Sequence, residues 1–248
     1  SQYEGLKKNI AFAPLTSPYL AALFPSDVNV SICDEQIRQI DYDIDVDLVA
    51  ITYLISNAPH AYEIADRFRK RGTPVVMGGF HASFLPEEAL EHADAVVVGE
   101  AEDIFPEIID DFKQGALKRI YKTTKLHSLK GIPVPRYDLI EKDYIISHPV
   151  QATRGCPYKC SFCSIISFYP SLRVRPIEEV LRDITCFEGR NYLQNKMFMF
   201  MDNNLISNKK YAKELFTQMK PLKKWWWSQV SIDMAKDKEL MTLAAESG

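Results

Sequence analysis

Three cysteines on one short segment are the residues of this chain that most clearly point to chemistry. Cys156, Cys160 and Cys163 stand at C-x3-C-x2-C spacing in the segment RGCPYKCSFC. Three thiolates can bind three irons of a cubane cluster and leave the fourth iron open to a substrate or cofactor, whereas clusters that only transfer electrons take four cysteines. The spacing therefore predicts a [4Fe-4S] site that does chemistry.

Other uses of these thiols fit the sequence less well. A zinc site would need a second Cys or His pair downstream, and no such pair follows Cys163. Cys33 and Cys186 each stand alone, and an odd number of cysteines without a leading apolar segment favours a reducing cytoplasm over a disulfide framework. Unrelated thiols at this spacing are the remaining alternative, which Gly155 and Pro157 disfavour because they mark a tight loop.

The composition is that of an ordinary soluble protein. The chain has 248 residues, of which 46% are hydrophobic and 25% charged, with a formal net charge of -3. Lys and Arg are scattered among acidic residues, so nucleic acid is not an indicated partner. The longest apolar runs are about half the roughly 20 residues that cross a bilayer, so no transmembrane segment is predicted and peripheral membrane attachment stays open.

The elements before the cysteines alternate as in an open parallel sheet with crossover helices. Apolar runs predict five strands, at residues 9–13, 28–33, 48–53, 74–79 and 95–99, and the amphipathic stretch after the third predicts a helix with Pro59 in its first turn. Gly78, Gly79 and Gly99 follow strands, where such sheets bind ligands. A tight turn explains each single glycine equally well.

The elements around and after the cysteines predict a second domain. Residues 116–148 lose periodicity and are predicted to be a linker, and a strand at 150–153 leads into the cysteine loop. Arg173 and Arg175 are predicted to be a solvated approach to the next helix, with contact to a carboxylate or phosphate as the alternative. The following pattern predicts helices and strands in alternation, at residues 177–187, 197–201, 209–219, 225–232 and 238–246.

The cysteine segment, with Phe162 before its last cysteine, resembles the signature of the radical S-adenosylmethionine (SAM) superfamily. The resemblance implies that the three cysteines ligate a [4Fe-4S] cluster, that SAM chelates the open iron, and that an electron from the cluster cleaves SAM to a 5'-deoxyadenosyl radical. It implies that Phe162 lies against the adenine, with packing beneath the loop as the plainer role. Asp202 and Asn203 stand where the family binds the SAM amino group, although the commoner motif is Gly-Gly-Glu and a helix-capping turn is the alternative. No catalytic residue is assigned.

The first 115 residues resemble the cobalamin-binding-type domain that precedes the radical SAM core in one large subfamily. The resemblance is carried by AYEIA at 61–65, GGFHA at 78–82, PEEAL at 86–90 and GEAE at 99–102. The D-x-H-x-x-G motif that supplies a histidine to cobalt is absent, since residues 13–18 read APLTSP, and His81 is the histidine nearest the predicted sheet edge. The cobalamin contacts that the resemblance implies are Thr52, Gly78, Gly79, His81, Gly99 and Glu100.

These observations predict an α/β chain of two domains. Residues 1–115 are expected to form a Rossmann-like cobalamin-binding-type domain, 116–148 a linker, and 149–248 the first half of a (β/α)6 partial TIM barrel. A βα unit takes about 30 residues, so the last segment holds about three units, and the natural protein is expected to continue past Gly248.

The resemblance implies methyl transfer from cobalamin to an unactivated carbon. Cyclisation or rearrangement by the same domain pair, an iron-sulfur electron-transfer or sensor protein, and a cobalamin carrier with an inert barrel are the alternatives. The expected partners are an electron donor such as flavodoxin or ferredoxin and a small-molecule substrate, lipid or tetrapyrrole-like among the possibilities. No residue in the sequence indicates which chemical group of that substrate is recognised.

Overall fold

The computed structural model describes residues 12–248, and the chain divides into two compact units. The first, called the sheet unit below, consists of Tyr19–Cys33 and Gln39–His127. The second, called the cysteine unit, consists of residues 12–18, Asp34–Arg38 and Ser128–Gly248. The first boundary between the two units along the chain falls within helix α1 (Thr16–Ala21). Within residues 12–248, no helix combines the length and the apolar character needed to cross a membrane.

The sheet unit is built on four parallel strands in the order β1-β2-β3-β4. The strands are β1 (Val49–Thr52), β2 (Val75–Gly78), β3 (Ala95–Val98) and β4 (Ile120–Lys122). The connecting helices are α2 (Ala58–Lys70), α3 (Phe80–Phe84), α4 (Pro86–His92) and α5 (Phe105–Lys113). The predicted α/β class with an open parallel sheet is confirmed.

Helix α2 shows why the sequence forms these elements. It begins after Asn57 with Pro59 in its first turn, and its buried face includes Ala61, Tyr62, Ala65 and Phe68. That face packs in one core with apolar side chains of β2 and β3. Burying a large apolar side chain contributes about 1.5 to 3 kcal/mol, so this contact holds helix α2 against the sheet.

Two sequence predictions differ from the structure of the first half, and a third falls partly outside the described residues. Residues 28–33 form no strand; their alternating burial fits an extended segment, but alternation alone does not supply a neighbouring strand to pair with. Residues 9–11 lie outside the described part, and Phe12 pairs with Ile146 in an isolated parallel bridge. Strand β4 lies inside the predicted linker, because only Tyr121 of its three residues is buried and no apolar run marks it. The domain boundaries stay a prediction.

The cysteine unit repeats strand and helix around a second parallel sheet, in the order β5-β8-β9. The predicted strand at 150–153 is split: β5 (Pro149–Val150) pairs with β8, and β6 (Thr153–Arg154) pairs antiparallel with β7 (Arg173–Val174). The other strands are β8 (Met197–Phe200) and β9 (Trp225–Trp227), which is shorter than predicted. The helices are α6 (Ile165–Phe168), α7 (Ile177–Cys186), α8 (Tyr192–Lys196), α9 (Lys209–Met219) and α10 (Lys238–Ser247).

The core of this unit lies between the sheet and helices α7, α9 and α10. Phe198 and Phe200 of β8 pack with Leu215 and Phe216 of α9, all four without solvent exposure. Trp226 of β9 stacks on Phe216 with ring centroids 5.0 Å apart. The succession β5, α7, β8, α9, β9, α10 gives the three βα units expected of half a barrel.

Candidate functional site

The cysteine loop begins directly after β6, at a glycine that no other residue can replace without strain. Gly155 has φ of +89°, and a Cβ there would collide with the carbonyl oxygen of Ser171. Its N–H donates to Oδ1 of Asn203 at 3.3 Å. The backbone is therefore held immediately before the first cysteine.

The three thiols of the loop are free and reach solvent. Cys160 is exposed, while Cys156 and Cys163 are half-buried, and the Cys163 N–H donates to the Cys160 carbonyl at 3.0 Å in a local turn. Three free thiols on one loop are a donor set that suits an iron-sulfur cluster. Within residues 12–248, no three Cys, His, Asp or Glu side chains are gathered closely enough to hold a metal ion. The cluster ligands thus stay a prediction that rests on residue type and spacing.

Asp202, directly after β8, is buried and braces the strand that leads to the cysteines. Its two carboxylate oxygens accept from the backbone N–H of Ala152, at 3.1 Å, and of Thr153. Burial raises the pKa of Asp202 to about 6, against the opposing effect of these hydrogen bonds and of the Arg175 charge. The prediction that Asp202 binds the SAM amino group stays untested, and in the structure this carboxylate serves the backbone.

The two asparagines that follow Asp202 make further hydrogen bonds between this turn and neighbouring segments. Asn203 accepts from Gly155 as described, and Oδ1 of Asn204 accepts from the Ser231 N–H at 3.1 Å. The turn at 202–204 thereby joins the loop after β6, its own strand β8 and the segment after β9. The alternative prediction, that this turn caps helix α9, is wrong. Helix α9 is capped by Asn208, whose side chain accepts from the Tyr211 N–H.

Phe162 and Arg175 differ in exposure from two of the sequence predictions, which had Phe162 packed beneath the loop and Arg175 solvated. Phe162 is 90% exposed, so it does not pack beneath the loop. Arg175 is 2% exposed rather than solvated; it pairs with the buried Asp183 at 2.8 Å and donates to the Gln151 carbonyl. Arg175 is therefore a buried, paired guanidinium beside the cysteine loop and does not form a solvated approach to helix α7.

In the sheet unit, the predicted glycines meet at the carboxyl edge of the sheet. Gly79 has φ of +100°, and a Cβ there would lie 2.9 Å from both the Thr52 hydroxyl and the Tyr53 carbonyl oxygen. Gly78 ends β2 and pairs with Thr52 in the ladder. The structure therefore brings Thr52, Gly78 and Gly79 together where a parallel sheet binds ligands.

Ser83 joins the next strand end to this edge. Its hydroxyl donates to the Gly79 carbonyl at 2.7 Å and accepts from the Gly99 N–H at 2.9 Å. Glu100 is buried; its carbonyl accepts from the Thr123 hydroxyl, and its carboxylate accepts from the His127 N–H at 3.2 Å. Ser83 was missed by the sequence analysis, although its place in the GGFHAS run offered a signal.

His81 is part of a polar cluster next to the edge, in which His81, Tyr53 and Tyr62 are buried and Glu88 is exposed to solvent. Its Nε2 lies 3.1 Å from Oε1 of Glu88, which also accepts from the Tyr62 hydroxyl at 2.8 Å. Tyr62 in turn receives a hydrogen bond from Tyr53 at 3.3 Å. Burial raises the pKa of Tyr62, and the hydrogen bonds from His81 and Tyr62 lower the pKa of Glu88. One ring nitrogen of His81 is therefore already engaged by protein.

Comparison with known proteins identifies a domain family and several related enzymes. Residues 18–109 match the family model of the B12 binding domain. The chain is 36% identical over 245 residues to the bacteriochlorophyllide d C-8(2)-methyltransferase of Chlorobaculum tepidum, covering 92% of this chain and 54% of the relative. It is 27% identical over 247 residues to the anaerobic magnesium-protoporphyrin IX monomethyl ester cyclase of Cereibacter sphaeroides, covering 86% of this chain and 40% of the relative.

The fold has a solved counterpart. The radical S-adenosylmethionine methyltransferase TsrM from Kitasatospora setae, with cobalamin and a [4Fe-4S] cluster bound, superposes with a TM-score of 0.71 at 17% identity, covering 98% of this chain and 57% of that one. The likeness to TsrM shows the fold of the chain, and the family match identifies residues 18–109 as a B12 binding domain. The chain's relatives in particular include methyltransferases and a cyclase, and the chain spans about half of their length.

Proposed function

We propose that the protein is a radical SAM enzyme that uses cobalamin to transfer a methyl group to an unactivated carbon. The observation that carries the proposal is the occurrence of both sites in one chain, a three-thiol loop at the end of a partial barrel strand and an open glycine edge within a B12-binding domain. The alignment with a methyltransferase over 92% of this chain supports the same reaction.

The residues present fit the two cofactors. Cys156, Cys160 and Cys163 would hold the cluster, and the edge formed by Gly79 and Gly99, with Thr52, Gly78, His81 and Glu100 beside it, would hold cobalamin. When bound, these groups supply reductive cleavage of SAM and a transferable methyl group.

The chain's own side chains prepare these sites. Gly155 and the turn at 202–204 hold the start of the cysteine loop, and exposed Phe162 offers an aromatic face for the adenine of SAM. The amide nitrogen of Asn203 is a donor, which suits the carboxylate of SAM better than its ammonium group. In the sheet unit, the absence of a Cβ at Gly79 lets its backbone lie against Thr52 and Tyr53, which holds the ends of β1 and β2 together at the edge that would bind cobalamin.

The substrate we propose is a tetrapyrrole-like ring, and the electron comes from a one-electron donor such as flavodoxin or ferredoxin. The two enzyme relatives above act, by their names, on bacteriochlorophyllide and on magnesium-protoporphyrin. Similarity to the cyclase favours ring closure as the second candidate reaction. The two reactions differ in whether the product gains a methyl group.

The test is anaerobic reconstitution of the full-length protein with iron, sulfide, cobalamin, SAM and a reductant. Mass spectrometry is expected to detect 5'-deoxyadenosine and, with a tetrapyrrole substrate, a product heavier by one methyl group. Cys160→Ala is expected to abolish 5'-deoxyadenosine, and Cys33→Ala, an exposed thiol of the sheet unit, is the matched control.

Three results would separate the alternatives. An EPR signal of the iron-loaded protein that does not change when SAM is added indicates an electron-transfer or sensor protein. Cobalamin binding without 5'-deoxyadenosine indicates a carrier. Deoxyadenosine with a product of unchanged methyl count favours cyclisation or rearrangement.

A further inference from the structure

Tyr158 stands between the first two cysteines and reaches across to another segment. Its hydroxyl donates to Oδ2 of Asp233 at 2.9 Å. Asp233 lies in the 3-10 turn Ile232–Lys236 after β9, and its other oxygen accepts from Lys236 Nζ at 3.1 Å. Hydrogen bonds from Lys236 and from Tyr158 lower the pKa of Asp233, so the acceptor is a carboxylate at neutral pH.

The segment that carries Asp233 is itself fixed to the barrel sheet. The Ser231 N–H donates to Asn204, which belongs to the turn after β8. Asn203 of that same turn holds Gly155. The loop is therefore anchored at two points, Gly155 before Cys156 and Tyr158 after it. Both anchors depend on hydrogen bonds made by the turn at 202–204.

We propose that Tyr158 is a positioning residue: its hydroxyl latches the cysteine loop to Asp233 and so holds Cys156 and Cys160 ready to take up the cluster. The proposal rests on the proposed function, since it assigns the thiols to a cluster. Tyr158 does not touch the irons in this role. It acts by limiting the conformations of the backbone between the two cysteines.

The physical reason is the entropy of an exposed loop. Fixing one backbone residue costs about 1 to 2 kcal/mol, and a cluster needs several loop residues fixed at once. A contact that orders the loop beforehand reduces this cost at the moment of cluster binding. Tyr158 is 43% exposed, so the latch is expected to contribute modestly rather than to determine folding.

The experiment compares the full-length protein with Tyr158→Phe, Asp233→Ala and the double variant. Tyr192→Phe is the matched control, because Tyr192 is 71% exposed in α8 and its hydroxyl makes no hydrogen bond within residues 12–248. Two quantities are measured: amide hydrogen exchange of residues 155–164 in the iron-free protein, and the rate at which the reconstituted protein loses iron to a chelator.

Each single variant is expected to speed exchange in the loop and iron loss by about three- to tenfold, the effect of one such hydrogen bond. The double variant is expected to match the single variants, because both remove the same contact. The melting temperature and the exchange of β8 are expected to stay as in Tyr192→Phe.

Exchange in Tyr158→Phe equal to that in Tyr192→Phe would overturn the latch. Additive effects of Tyr158→Phe and Asp233→Ala would overturn it as well. A protein that takes up no iron contradicts the proposed function instead, and the exchange measurement on the iron-free protein still decides whether the latch exists.

Discussion

Asp202 is a buried carboxylate whose two oxygens both accept hydrogen bonds from the strand that leads to the cysteines. Its position after the second barrel strand predicted a ligand for SAM, whereas the structure has both oxygens accept from the backbone N–H groups of Ala152 and Thr153. The position is readable because a polar residue ends an apolar strand. Its partners cannot be read from the sequence, because the N–H groups that donate to it lie about fifty residues away in the chain.

The raised pKa of Asp202 makes the stability of the protein depend on pH in a defined direction. Burial places this pKa at about 6, above the value of about 3.9 in an unfolded chain. The native state therefore binds the proton more tightly, so the free energy of unfolding falls as pH rises from about 4 to about 6. At about 1.4 kcal/mol per unit, the fall is on the order of 3 kcal/mol.

Asp202→Asn removes this pH dependence. The variant is expected to be less stable than the wild type at pH 4, because the wild type is stabilised there by the proton that folded Asp202 takes up and an amide does not bind that proton. The difference in the free energy of unfolding between the two proteins is expected to narrow by pH 7. Urea unfolding at several pH values measures this difference. If the free energies of unfolding of the two proteins change in parallel with pH, Asp202 does not titrate in this range.

At the scale of elements, the strand ends of the sheet unit were well predicted and their supporting contacts were not. Continuous β-branched runs marked β1, β2 and β3, and the glycines after them marked the edge. Ser83 and Glu88, which tie this edge together, come from helices α3 and α4. Their roles depend on helix orientation, which periodicity leaves undetermined.

Gly79→Ala tests whether this edge holds cobalamin. A Cβ at Gly79 would lie 2.9 Å from the Tyr53 carbonyl oxygen, so the strand ends must shift. Cobalamin binding, followed by the visible spectrum of the corrin, is expected to weaken by about tenfold or more, which corresponds to about 1.4 kcal/mol.

Gly72→Ala is the matched control for that substitution. Gly72 also has positive φ, +86°, but a Cβ there meets nothing within 4 Å, and it lies at the opposite end of β2. It shares the backbone strain of Gly79→Ala without the collision. Equal affinities for cobalamin in the two variants would mean that the corrin does not approach Gly79.

At the scale of the whole molecule, the chain builds its two units from interleaved segments. Residues 19–33 belong to the sheet unit, residues 34–38 to the cysteine unit, and the chain then returns for 39–127. Leu20, Leu23, Phe24 and Val28 pack against the core formed by β3, β4 and α5. Phe24 meets Phe105 edge to face with centroids 4.7 Å apart.

A fragment of residues 19–127 is therefore expected to be more stable than a fragment of residues 39–127. The shorter fragment loses four apolar contacts, each worth about 1 to 2 kcal/mol at partial burial. Urea unfolding followed by circular dichroism compares them, with Phe24→Ala in the longer fragment expected to fall between. Coincident unfolding midpoints for the two fragments would show that residues 19–33 add nothing to this core.

The sequence alone predicted the class of chemistry and the order of strands β1, β2 and β3 and of helices α7, α9 and α10, because cysteine spacing and apolar periodicity are local properties of the chain. It predicted α9 at its observed bounds and placed the cysteine loop directly after a strand. Only the tertiary structure decided which groups support that loop. Asp202, Asn203, Asn204 and Asp233 act on backbone or side chains far away in sequence, and such pairings are set by packing of the whole sheet, for which no local pattern exists.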